Sequence, residues 1–220
     1  MHDNLSKRNV LKNLSANPSP AEMLSGSFSS SSGFLQQTLS FVVLLLPAQF
    51  PPVGQYLDTV TIELYSGNPG CSARREACAC FKISISMGAV MEISLVPPGA
   101  PFDGNSTSLL LDSGVLATGS VRSADLIVRS NTRYTVSVAS QNGGIMRNPD
   151  PADASKVPYR FLAAGQTFVL PKATAQPVVS RASPTPVAGR RYAISVAVDE
   201  VGWATEGTYS DILTFQAMAN

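Results

Sequence analysis

The side chains able to do chemistry are few. Cys71, Cys78 and Cys80 fall within ten positions, and the only histidine is His2. Structural zinc takes four ligands, so three thiols without a histidine make a poor zinc set. In an exported chain they read instead as a disulfide from Cys71 to either Cys78 or Cys80, with one thiol left over to pair between molecules, react or lie buried. A single histidine so near the start also removes Ser-His and Cys-His catalysis and histidine-ligated metals.

The remaining candidates are carboxylates near the C-terminus: Asp199, Glu200, Glu206 and Asp211. A glycosidase needs two carboxyl groups facing each other across a cleft, ~5–9.5 Å apart. Asp199 and Glu200 are adjacent on an extended run, so they point to opposite faces and cannot be that pair. Asp211 shares a strand face with Tyr209 and reads as a partner for nearby backbone groups. No phosphate-binding loop and no metal-ligand set is visible. The expectation is a protein that is not an enzyme and carries no cofactor or metal. Trp203 and Tyr209 leave one binding alternative, since aromatic faces can stack on sugar rings.

Composition narrows the class. Of 220 residues, 44% are hydrophobic and only 14% charged, a balance found in secreted β proteins. Lys plus Arg is 16 against Asp plus Glu at 15, so a net charge of +1 excludes nucleic acid as the main partner. Sixteen glycines and 16 prolines suit many short strands and turns.

Residues 1–33 are polar and end in the low-complexity run Ser29, Ser30, Ser31, Ser32 and Gly33, which reads as disordered. Residues 39–46 are then largely apolar. The run is too short to span a bilayer as a helix, which takes ~20 residues, but it has the length of a signal-peptide core. The basic residues Lys7, Arg8 and Lys12 lie well upstream, and no Ala-x-Ala cleavage site follows; the alternative is a buried core strand.

The rest of the chain alternates with a period of two, which predicts strands. Val60, Ile62 and Leu64 share one face of residues 56–65. Phe81, Ile83, Ile85 and Met87 alternate next, followed by Met91, Ile93 and Leu95. Leu126 and Val128, then Tyr134, Val136 and Val138, mark two more strands around the turn Ser130, Asn131 and Thr132. Asn142, Gly143 and Gly144 form a strong turn signal. Val157, Tyr159 and Phe161 lead to a turn at Ala164, Gly165 and Gln166, with Phe168, Val169 and Leu170 beyond. Residues 172–189 read as an irregular crossing. Tyr192, Ile194, Val196 and Val198 form one closing strand, and Tyr209, Asp211, Leu213 and Phe215 the other. Seven or eight short strands and no helix predict an all-β, immunoglobulin-like β-sandwich.

Several stretches together resemble the spore coat U-type domain, the subunit fold of bacterial archaic chaperone–usher pili. They are LLLDSGVLATG at 109–119, IVRSNTRYTVSVASQNGGIMR at 127–147, VPYRFLAAGQ at 157–166 and YAISVAVDEVGWATEGTYSDILTF at 192–215. Ser113 stands where that family commonly has an aromatic residue. The resemblance implies an incomplete sandwich lacking one strand, filled first by a periplasmic chaperone and then by the N-terminal extension of the next subunit. It also implies passage through an outer-membrane usher and a place in an exported surface fibre. Strand addition satisfies an open sheet edge and an open core together. In this chain the donor candidate is residues 56–65, with Tyr56 opening the segment and Val60, Ile62 and Leu64 as plugs; otherwise the segment is the sandwich's own first strand. The expected organisation is a leader over 1–50, an extension over 51–80 and the sandwich over 81–220, with no stable membrane span. The alternative function is a secreted ligand- or carbohydrate-binding sandwich.

Overall fold

The computed structural model describes residues 2, 9–28, 35–46, 49–68, 72–150 and 154–220. The protein is all-β: eleven strands and two single-turn 3-10 segments are present, with no α-helix among the described residues. The chain divides into two units, one made of Met1–Gln49 and Leu57–Ser84, the other of Phe50–Tyr56 and Ile85–Asn220.

β1 (Gly54–Ser66) pairs with β2 (Arg74–Met87) in a two-stranded sheet of their own, which lies mostly in the first unit. Glu63 faces Arg75 at 3.4 Å, and Ser66 donates to Glu76 at 2.5 Å. On β2 the odd-numbered residues are the apolar row, and Phe81, Ile83, Ile85 and Met87 are half-buried while their polar neighbours are exposed. Single 3-10 turns lie at Leu14–Ala16 and Pro20–Glu22. Ser19 and Glu22 form a capping box around the second, and Lys12 pairs with Glu22. Order of this kind within the stretch read as disordered comes from capping and one ion pair, not from a buried core. The serine run at 29–32 lies outside the described residues.

The second unit is a sandwich. One sheet runs β3 (Met91–Val96), β4 (Val121–Ser130), β10 (Arg190–Val198), β7 (Lys156–Ala163) and β6 (Ile145–Arg147), with β8 (Gln166–Phe168) also on β7. The other runs β11 (Leu213–Ala219), β5 (Tyr134–Ser140) and β9 (Gln176–Arg181). Every registered pair is antiparallel. Alternation supplies the core from both sides. Leu126, Val128, Tyr192, Ile194 and Phe161 come from one sheet and Tyr134, Val136 and Val138 from the other, all buried. The sheets also touch through a phenol pair, Tyr134 and Tyr192, with oxygens 2.6 Å apart.

Two strands depart from the sequence reading. Residues 172–189, read as an irregular crossing, contain β9; β9 is an edge strand, and a register shift at Val136/Ser137 falls opposite its Pro177. A missing N–H is tolerated on an edge or at a bulge. The last strand begins at Leu213 rather than Tyr209, because Asp211 turns its side chain onto main-chain N–H groups at that point. The turn at Asn142 is as expected: Gly143 and Gly144 take φ of +74° and +75°, where a side chain would be strained.

Candidate functional site

The core is sealed on one flank and open on the other. Toward β9 and the β8–β9 connection, Val178, Val179 and Leu170 are buried. At the opposite flank lie the edge strands β3 and β11, one from each sheet. Their inward side chains, Met91, Ile93, Leu95 and Leu213, Phe215, Ala217, pack on the core yet are only partly buried. Leu109 and Leu111 of the β3–β4 connection join them from the side, while Leu110 between them is 85% exposed.

Main-chain direction follows the same residues. Gln141 donates to Ile212 O and Asn220 donates to Arg133 O, so even-numbered groups at β11 face β5. Alternation then turns the N–H and C=O groups of Leu213, Phe215 and Ala217 to the free edge. On β3, Leu95 donates away from β4, to Ser106 O at 2.8 Å, and its carbonyl accepts from the Ser106 hydroxyl. Met91 and Ile93, in phase with Leu95, therefore also aim their main-chain groups outward. Met91 and Ile93 on β3, and Leu213, Phe215 and Ala217 on β11, thus present apolar side chains and main-chain hydrogen-bonding groups from the same residues, whereas Leu95 is already covered by Ser106. A strand entering here would satisfy both at once.

Asp211 fixes the start of β11. Its Oδ2 accepts from Ser140 and Tyr159, both at 2.6 Å, and its Oδ1 accepts from the N–H groups of Asn142 at 3.0 Å and Ile212 at 2.8 Å. Ser140 Oγ in turn accepts from Gly144 N. Burial, and next the Asp211 hydrogen bond, holds the Tyr159 phenol protonated well above the ordinary tyrosine range. The carboxylate therefore serves backbone and core hydroxyls. Asp199 lies in an ion pair with Arg160 at 2.6 Å. Among the described residues no group of three or more His, Cys, Asp or Glu could hold a metal.

Asn131 is a second hub, where sequence reading saw only a turn. It is 1% exposed; its Oδ1 accepts from Val90 N at 2.8 Å and its Nδ2 donates to Gly88 O at 2.9 Å and Pro51 O at 3.3 Å. Its carbonyl accepts from Val53 N. One side chain therefore ties segments 51–53 and 88–90 to the turn after β4, at the point where β3 begins.

The remaining sequence candidates are scattered. Tyr56, Val60, Ile62 and Leu64 lie on β1, which belongs to neither sandwich sheet; Ile62 is 41% and Leu64 60% exposed. Cys78 and Cys80 are exposed free thiols on β2, two apart and so on one face. Cys71, the expected bridge partner, lies outside the described residues. Trp203 is fully exposed, whereas Tyr209 is half-buried with its hydroxyl bonded to Thr205 O at 3.0 Å, so the two do not form one platform. No helix among the described residues is long and apolar enough to cross a membrane.

No family model and no curated protein matches this sequence. Solved structures similar to it include a chain from a chaperone–tip adhesin complex of CFA/I fimbriae biogenesis, at 11% identity and TM-score 0.43, covering 77% of this chain and 54% of that one. The CooA pilin subunit from enterotoxigenic Escherichia coli is similar at 18% identity and TM-score 0.36, over 59% of this chain and 90% of the pilin. A chain of the CsuC–CsuE chaperone–tip adhesion subunit pre-assembly complex, from archaic chaperone–usher Csu pili of Acinetobacter baumannii, is similar at 16% identity and TM-score 0.34, over 66% of this chain and 44% of its own length. This chain therefore spans about half the length of the first and less than half of the third.

Proposed function

We propose that this chain is a structural subunit of an exported bacterial surface fibre, a pilus of the spore coat U type, and that it assembles by donor-strand exchange through the groove between β3 and β11. The observation that carries the reading is the pair of edge strands, one per sheet, bounding a flank of the core where Met91, Ile93, Leu213, Phe215 and Ala217 are left half-buried. A periplasmic chaperone fills the groove in transit, an outer-membrane usher exports the subunit, and a neighbouring subunit's β1 then takes the chaperone's place. Residues 39–46 act as the core of the export signal.

Two features of β1 suit it to the donor role. It is 13 residues long, and at ~3.3 Å per residue it outreaches the seven residues of β11. It also alternates, so Val60, Ile62 and Leu64 enter the groove together while β1 exchanges its pairing with β2 for pairing with β11. A charge in the middle plug tests this. Ile62→Asp places an unpaired carboxylate among Phe215 and its neighbours, where burial is unfavourable. Fibres or oligomers of the wild type are expected to be lost in the variant while the monomer keeps its β-sheet circular dichroism. Unchanged assembly of Ile62→Asp would remove residues 56–65 as the donor.

A further inference from the structure

The loop between β10 and β11 presents a second, unrelated feature. Trp203, the chain's only tryptophan, stands wholly in solvent. Indole is a large apolar surface, and most tryptophans are mainly buried. Looseness does not account for its position, because the loop is tied on both sides of it. Val201 N donates to Thr118 Oγ1 at 3.2 Å and Thr205 N donates to Ser155 Oγ at 3.4 Å. Tyr209 braces the same loop through Thr205 O and the Thr205 hydroxyl. Gly202 turns the chain outward at φ +59°, a conformation that favours glycine, and open space surrounds its missing side chain.

Beside the indole is a shallow concavity of about 370 Å³, lined by Ser155, Lys156 and Pro158 from the start of β7 and by 200–204. That is the small end of the range for ligand sites, ~300–1,000 Å³, with room for one or two sugar rings. Lys156 and Glu200 supply a donor and an acceptor at its wall, and neither is in an ion pair among the described residues. The geometry points to a saccharide-binding shelf: the apolar face of a neutral pyranose rests on Trp203, and its hydroxyls bond to Lys156 and Glu200.

Other ligands fit less well. A quaternary ammonium ion is held by a cage of several rings, and here there is one. Single-stranded nucleic acid takes a positive groove with successive stacking platforms, and the net charge is +1. Protein interfaces are depleted in charge at their centres, whereas this indole is flanked by Lys156 and Glu200. None of the lining residues belongs to β3 or β11, so the shelf stands or falls independently of donor-strand exchange.

The test is direct because the only indole is the one on the shelf. The full-length chain is screened on an array of neutral oligosaccharides, covering glucans, mannans, galactans and N-acetylglucosamine oligomers. Hits are then titrated by tryptophan emission and by calorimetry. At least one saccharide is expected to shift the emission saturably. Trp203→Ala should weaken its binding roughly tenfold or more, the scale of losing a stacking platform, while Trp203→Phe retains part of it. Lys156→Ala should weaken it severalfold. Since Trp203 touches no core residue, unaltered circular dichroism is expected throughout. Binding by Trp203→Ala equal to wild type overturns the assignment. So does an array without hits, or Trp203-dependent adherence to a protein or hydrocarbon surface in the absence of any saccharide binding.

Discussion

Replacing Asp211 with alanine should cost the sandwich more than any other surface-adjacent substitution. The carboxylate accepts four hydrogen bonds, from Ser140, Tyr159, Asn142 N and Ile212 N. Alanine leaves all four donors without their acceptor. Two of them belong to residues that are 0% and 7% exposed, Ser140 and Tyr159, where water cannot readily substitute. An unsatisfied buried donor costs about 1–3 kcal/mol, so the pair alone predicts roughly 2–6 kcal/mol. In a domain of this size each kcal/mol moves the midpoint ~2–4 °C, which sets the expected fall at about 4–24 °C. The assay is denaturant and thermal unfolding of the full chain followed by circular dichroism. Tyr159→Phe serves as the partner in a double-mutant cycle. Alone it removes one bond and leaves the carboxylate three donors, for a loss near 1 kcal/mol; in the Asp211→Ala background it should cost almost nothing. A loss under about 1 kcal/mol for Asp211→Ala, or additive effects in the cycle, would falsify the account of Asp211 as the clamp that starts β11.

Three further outcomes follow from the same structure. Asn131→Ala should destabilise by about 1–3 kcal/mol and speed hydrogen exchange at the amide of Val90, which loses its side-chain acceptor; protection there equal to wild type would contradict the hub. Burial, and next the hydrogen bond to Tyr192, raises the Tyr134 phenol's pKa, as burial does for Tyr159. An unfolded phenol titrates near 10, so this stabilisation is whole below about pH 10 and is lost as pH rises toward the folded values. Tyrosinate absorbance should accordingly show the Tyr134 and Tyr159 phenols ionising only together with unfolding. Cys78 and Cys80 should both alkylate in the native reduced chain without unfolding; protection of either would place it under cover that β2 does not provide.

Periodicity made the facing of side chains legible but not their coverage. The alternation of Tyr192, Ile194, Val196 and Val198 correctly predicts the inward face of β10, and Asn142, Gly143 and Gly144 correctly predict the turn between β5 and β6, because both are local properties of the chain. The half-burial of Phe215 and Ile93 is a different kind of quantity. It depends on which strand lies next to each edge, and nothing within β3 or β11 records the absence of a neighbour. Asn131 was hidden for a related reason: a buried asparagine that bonds 51 and 88 looks, in sequence, like any polar turn residue. The reading of 172–189 as an irregular crossing erred in the opposite direction, because Pro177 lies in the edge strand β9, where a missing N–H is tolerated. Trp203 was legible as a residue and not as a surface. A tryptophan after a glycine is more often a core or turn plug, and only its full exposure and the anchoring of Val201 and Thr205 separate the two.

The groove sets its own requirement on whatever fills it. Fully burying a Val, Leu or Ile side chain is worth about 1.5–3 kcal/mol, so three plugs on one strand face contribute roughly 5–9 kcal/mol gross. A disordered segment would surrender much of that to backbone ordering, at about 1–2 kcal/mol per residue. β1 is already extended against β2, so its entry exchanges one ladder for another and keeps most of the side-chain gain. That difference predicts which competitor wins. A free peptide of residues 56–65, carrying the same plugs without a preformed strand, should protect the groove far more weakly than an intact chain does. If the peptide matched the intact chain, the pairing of β1 with β2 would have no part in donor selection, and the plugs alone would decide it.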